Sequence, residues 1–318
     1  MRKSNDPYRW YILALVVMTN MFVVAIHSMA MSVMAREISA DLGLNLVQLG
    51  ILWGIGALPG IATSLLGGMV GDRFGPRRVL IVASLIGGLV GLARGFASNF
   101  MSMAILMVLL GAVIPFVMMN GFKTVAQWFP SRQLGLANGV ISMGMALGFL
   151  LGSLFSATVL SPWLGGWRNV FIAYGAIGAL FSVPWFFSRS FPGVERLPGA
   201  TLSIWKPLKH VAALKNIWLL GLALFGFSGA IQGTLGYLPL YLRGMGWQPI
   251  QADGALSAFH TVSMLFVLPI ALWSDRLGSR KRLLLMADFL VAAGFALLGF
   301  ACGGLVWVAV VLSGFVRD

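Results

Sequence analysis

Two stretches 203 residues apart hold much of the chain's concentrated charge. GDRFGPRRVL begins at Gly71 and SDRLGSRKRLLL at Ser274, and both carry the frame D-R-x-G-x-R-[RK]. The first supplies Asp72, Arg73, Gly75, Arg77 and Arg78, with Gly68 four positions before the aspartate. The second supplies Asp275, Arg276, Gly278, Arg280 and Lys281, with Ala271 where the leading glycine would stand. The chemistry open to such a cluster is electrostatic. A carboxylate at the positive N-terminus of a helix gains about 0.3 to 2 kcal/mol, enough to bias a two-state equilibrium without locking it. The plainer reading is that the arginines fix orientation and the aspartate balances them.

The flanking sequence is strongly apolar, so each polar group inside it is conspicuous. Hydrophobic residues make up 59% of the 318 and charged residues only 10%, against roughly a quarter charged in soluble domains. The fold class is therefore an all-α polytopic membrane protein. Apolar runs place spans at about 11–35, 47–71, 79–97, 100–127, 135–160 and 167–188, then at 216–243, 251–274 and 283–301. Each is long enough to cross a hydrocarbon core of about 30 Å at about 1.5 Å per residue. A last run from 304 stops at Asp318, giving nine spans and part of a tenth. The 40 glycines read as close helix packing in lipid. The first run is too long for the apolar region of a cleaved leader and reads as a span.

Between the runs, Ser188 to Asn216 is the one long polar interruption, with prolines at 192, 198 and 207. It divides the chain into a six-helix bundle at 1–188, a linker at 189–215 and a second, incomplete bundle at 216–318. The later linker, LSIWKPLKHVAAL, suits a short amphipathic helix on the membrane surface. With the N-terminus inside, seventeen Lys and Arg fall in cytoplasmic segments, against Arg36, Arg94, Arg168 and Arg243 outside. That bias sets the orientation and accounts for the net charge of +13 without nucleic acid. Cys302 is single, which excludes a disulfide framework or a cysteine-based metal cluster.

The 203-residue offset extends beyond the charged loops. LGLNLVQ at 42–48 falls over MGWQPIQ at 245–251, and Gly111 falls on Gly314. Parallel repeats of this kind mark one group of secondary transporters. With the span order, the central linker and the duplicated loop, the chain resembles the major facilitator superfamily over its whole length. WFPSRQLGLANGVISMG, Trp128 to Gly144, is similar to the equivalent stretch of small-anion branches such as nitrate, cyanate and organic-anion carriers. The resemblance implies that Asp72 caps an eleventh span and, by symmetry, that Asp275 caps the fifth near Leu134 to Gly139. Two equal halves would need about 390 to 400 residues by the repeat offset, so the chain reads as lacking spans eleven and twelve. Two further departures are the absence of any acidic residue between Asp72 and Glu195, and Met107 where many proton-coupled members carry an arginine.

Charged groups at membrane depth cost about 2.5 to 3.5 kcal/mol and are functional candidates by default. The substrate-pathway candidates are Asn20, His27, Asn120 and Lys123 in the first half and Gln232, Tyr237 and His260 in the second. Either histidine at that depth binds an anion, carries a proton, or packs as a neutral hydrogen-bonded ring. Lys123 and Arg94 lie within snorkelling reach of the two faces. Asp288 and Arg317 fall at nearly the same depth, about 9 Å in by helix rise, and form a candidate ion pair between spans nine and ten. The first half has no mid-membrane carboxylate but does have a histidine and cations, which favours a small anion over a cation. The expected function is secondary transport of a small anion by alternating access, with the lipid bilayer, an anionic solute and a coupling ion as partners in a cell (inner) membrane. The rival is a non-transporting fragment, or a structural or sensory relative. An enzyme is not expected, nor a cofactor, since no HExxH, phosphate loop or Ser-His-acid set is present.

Overall fold

A computed structural model describes residues 7–191, 212–277, 280–300 and 303–315; for residue 268 and for 271–277 and 280–284 it describes the backbone only. Within them the chain is helical and antiparallel in sequence order. The spans are Tyr8–Val33, Leu46–Phe74, Pro76–Phe96, Phe100–Trp128, Ser131–Leu164, Trp167–Phe187 and Lys215–Gly244, numbered one to seven, each long and apolar enough to cross a membrane. Pro249–Leu277, Arg280–Phe300 and Leu305–Gly314 follow as helices on the next three apolar runs, and the labels spans eight, nine and ten refer to those runs. These helices track the apolar runs to within a few residues. Of the linker, residues 192–211 lie outside the described residues, as do Gly278 and Arg317.

Local chemistry sets the boundaries. Spans two and four open on capping boxes, Asn45 with Gln48 and Asn99 with Ser102, each side chain satisfying the other residue's free backbone N–H. Between spans two and three the backbone turns at Gly75, whose φ of 86° strains any residue with a Cβ. Pro76 then opens span three, where its missing N–H costs nothing. The motif glycine and the residue after it therefore make the hairpin between two spans. That end of the bundle is here the motif end, and the opposite end is distal.

Span one is the most enclosed, with most of its apolar stretch buried. It is not a uniform α-helix: Asn20–Ala25 form a π-helical turn, and Ser156–Leu160 form another in span five. Glycine lets the first half close tightly around it. A Cβ on Gly88 would run into the backbone of Ala179, and one on Gly175 into that of Leu92, so spans three and six touch backbone to backbone.

The repeat is visible as geometry. A Cβ on Gly111 would strike the backbone of Gly56, and one on Gly314 would stand 2.7 Å from the carbonyl oxygen of Phe259. Phe259 follows Gly56 by the same 203 positions that separate Gly111 from Gly314. Span four thus crosses span two, and span ten crosses span eight, at equivalent points. Where the halves meet, Ser32 Oγ donates to the carbonyl of Leu235 at 2.6 Å, again 203 residues away. Equivalent positions touch where a pseudo-two-fold axis between parallel repeats passes.

Candidate functional site

At the motif end, spans two and four are stapled by polar side chains. Lys123 Nζ donates to Asp72 Oδ1 at 2.7 Å and to the Gly68 carbonyl at 2.5 Å. The ammonium lies 3.7 Å from where a Cβ on Gly68 would stand, so a larger side chain there would crowd it. One turn away, Asn120 Nδ2 donates to the carbonyls of Gly67 at 3.0 Å and Phe116 at 2.8 Å, with its Oδ1 over Gly71. Lys123 therefore does not snorkel: it supplies the partner that Asp72 uses in this conformation, inside the first half.

Arg77 takes a partner that no acidic residue announces. Its Nε donates to the Trp185 carbonyl at 3.1 Å, its Nη1 to Ser190 Oγ at 3.3 Å, and its Nη2 to the Phe186 carbonyl. The two carbonyls belong to the last turn of span six, where the helix dipole also favours a cation. Arg73 lies against the ring of Phe74, while Arg78 is exposed. Asp275 and Arg276 end span eight, and Arg280 and Lys281 begin span nine, as the repeat requires; of these four the backbone alone is described.

At the distal end the exposed Arg168–Asp41 pair stays within the first half, while a further set of contacts runs between halves. Trp53 Nε1 donates to the Gln232 carbonyl at 2.8 Å, Tyr237 Oη to the Leu46 carbonyl at 3.4 Å, and Ser153 and Ser257 share a hydrogen bond of 2.9 Å. Arg243 Nη1 donates to the Val33 carbonyl at 3.0 Å, capping span one, while its Nη2 holds Asp253 Oδ1 at 2.6 Å. Both members of this ion pair are buried, with 9% and 0% of the side chains exposed. The gap left among Met31, Ser32, Trp53 and Tyr237 is about 10 Å³, at the lower limit for one water. Sequence reading missed Asp253. Its signal is a lone carboxylate ten residues after an arginine, across a helical hairpin.

The membrane-depth candidates separate. His260 lies between the halves, buried, stacked on Phe149 of span five at 5.3 Å, with Nε2 3.2 Å from Met29 Sδ of span one. His27 lies inside the first half instead: Nδ1 donates to the Phe22 carbonyl at 2.8 Å, which fixes the tautomer of the neutral ring, and Nε2 faces Gly91 of span three. Asn20 donates to the Val16 carbonyl at 2.9 Å and faces Gly121 of span four. Gln232 is exposed where the sealed distal half begins, and Tyr237 is half-buried within the seal. Arg94 is a correction to the snorkelling expectation. It is 1% exposed, with its guanidinium 4.1 Å from the centre of the Phe171 ring. Asp288 sits half-buried on span nine.

Comparison with known proteins places this arrangement. Residues 13–317 match the family model described as Major Facilitator Superfamily. The protein named Probable sulfoacetate transporter SauU, from Cupriavidus necator, is 27% identical over 241 residues, 70% of this chain and 54% of that protein. The 3-(3-hydroxy-phenyl)propionate transporter of Escherichia coli is 27% identical over 277 residues, 84% of this chain and 66% of that one. The chain thus spans between about half and two thirds of the length of these relatives. Among solved structures, a bacterial homolog of the human lysosomal transporter Spinster, inward-facing and unoccupied, superposes with a TM-score of 0.76 at 18% identity, covering 98% of this chain and 74% of that one. The xylose transporter XylE from E. coli, partially occluded and inward open, gives 0.75 at 18% identity over 98% and 84%. This is a family of membrane transporters and not of enzymes, and the chain, a multi-pass membrane protein, belongs to the Major Facilitator Superfamily.

Proposed function

We propose that the protein is a secondary active transporter that carries a small anionic solute by alternating access between its two helical halves. The observation that carries this reading is the contrast between the ends. The halves are hydrogen-bonded to each other at the distal end, while at the motif end the staples stay within the first half and residues 215–230 of span seven are exposed or half-buried. A carrier closed on one side and parted on the other is one of the two states that alternating access requires. Read with the basic bias of the motif-end loops, the N-terminus and the motif end face the cytoplasm, so the state is inward-open.

The anionic class rests on the polar groups and on the relatives. The first half offers cations, amides and a histidine near mid-depth, and the relatives are named for sulfoacetate, a phenylpropionate and nitrate/nitrite. Of the candidates, we assign His260 to the solute pathway, and its position between the halves, with Met29 and Phe149 beside it, supports that assignment. Asp72 and Asp275 serve as conformational latches. In the inward-open state Asp72 is held by Lys123, and it exchanges that partner for a helix N-terminus of the other half when the motif end closes.

A thermal-shift screen of small anions on the purified chain tests the substrate class, because a ligand that binds only the folded state raises apparent stability. The expected result is a saturable shift with a carboxylate, sulfonate or nitrate, lost in His260→Ala with the fold retained. A shift from cations or neutral sugars alone would overturn the anion assignment. Uptake of the same anion into liposomes, by this chain and by one extended through spans eleven and twelve, tests transport itself. Saturable uptake by neither refutes it.

A further inference from the structure

A polar cleft and an apolar groove meet at the motif loop. The cleft lies where spans one, three, four and six end, encloses about 190 Å³, and is lined by Arg77, Arg78, Arg189, Gln127 and Trp128. The groove runs along the outer side of spans two, three and four past Val70, Val82, Ile86, Val113 and Phe116, with about 380 Å³ of room. Phe74 and Arg78 border both. Val82 and Ile86 are 55% and 43% exposed, so the groove opens on the surface that faces lipid.

The charges in the cleft are not balanced. Among the described residues, Asp72 is the one carboxylate at this end of the first half, and Lys123 holds it. Arg77 spends its donors on the end of span six. Arg78 and Arg189 have no carboxylate partner among the described residues, and Arg189 is fixed at the rim by Tyr8, whose hydroxyl accepts its backbone N–H at 2.8 Å and whose ring lies under the guanidinium. A small inorganic anion would satisfy the cleft and leave the groove empty, and an apolar chain alone would do the reverse. One molecule with an anionic head and an acyl tail satisfies both. Basic pockets between membrane helices recognise lipid phosphates in this way, and paired guanidinium groups suit phosphate oxygens.

We propose that this composite site holds an anionic phospholipid, its phosphate between Arg78 and Arg189 and one acyl chain along Val82 and Ile86. The bound lipid then touches Phe74 and Arg78, on either side of the Gly75 turn, and so loads the loop that carries Asp72.

The test is native mass spectrometry of the purified chain in detergent, with phosphatidylglycerol, phosphatidylcholine and glycerol 3-phosphate as probes. Phosphatidylglycerol should be retained about tenfold over phosphatidylcholine, in keeping with two basic contacts. The joint variant R78Q/R189Q should bring the two lipids level while eluting as the native protein does, and Val82→Trp, which fills the groove and leaves the cleft alone, should lower phosphatidylglycerol retention. Equal retention of both lipids by the native chain would overturn the proposal, as would a preference that survives in folded R78Q/R189Q. If glycerol 3-phosphate displaces the lipid completely and Val82→Trp changes nothing, the cleft is a site for a free phosphate and the lipid assignment fails. Should the double variant not fold, Val82→Trp and the phosphate competition decide between these outcomes.

Discussion

The two ends of the molecule use polar groups in opposite ways. At the distal end hydrogen bonds tie one half to the other, among them that of Arg243 to Val33, with Arg243 itself held in the second half by buried Asp253; at the motif end Lys123, Asp72, Asn120 and Arg77 tie the first half to itself. The distal pair is dry, whereas Lys123 and Asp72 keep 32% and 69% of their side chains exposed. A dry contact is costly to break and an exposed one is cheap to exchange. The lesson is that the distal end holds a buried charge pair beside the contacts between the halves, while the motif end keeps its pair exposed, ready for other partners.

Substitutions can break or sharpen this contrast. The largest loss should come from Asp253→Ala, which strands a buried Arg243 at a cost of about 3 to 5 kcal/mol, read by thermal or denaturant unfolding in detergent. R243L/D253L should recover most of it, and a double variant as unstable as the single one would show that the pair is not what matters. Next, Gly111→Leu and Gly314→Leu should each lose about 1 to 3 kcal/mol through overpacking at equivalent crossings. A loss at one site and not the other would break the equivalence of the halves. Ser32→Ala, which removes a buried hydrogen bond between halves, should cost about 0.5 to 1.5 kcal/mol. The smallest effect belongs to Lys123→Met, within about 1 kcal/mol because the pair is exposed; a loss as large as that of Asp253→Ala would erase the difference between the ends.

The spans were legible because run length is a direct physical requirement: span four was expected at 100–127 and occupies Phe100–Trp128. The duplicated loop and the Gly111–Gly314 match were legible for a similar reason, since glycine and an offset survive in one dimension. What stayed hidden depended on partners chosen in three dimensions. Arg77 binds carbonyl groups, which every residue has, so no residue type pointed to span six. Arg94 read as a cation near a face, yet the Phe171 ring gives it a place inside. Asp253 falls just inside the run at 251–274 and was not singled out, because its partner Arg243 lies across a helical hairpin. The two histidines looked alike in sequence, and only packing put His260 between the halves and His27 within one of them.

The contact of Ser32 with Leu235 has a consequence for how such a chain is put together. A position that meets its own counterpart on a two-fold axis is what an isologous dimer of identical subunits presents. The protein can be regarded as two tethered subunits whose axis contact is unequal, a hydroxyl on one side and a main-chain carbonyl on the other. In a dimer of identical subunits that position would carry the same side chain from both sides. In a single chain the two positions differ, so the hydroxyl is supplied from one side only, to a main-chain carbonyl on the other, beside the other hydrogen bonds that join the halves.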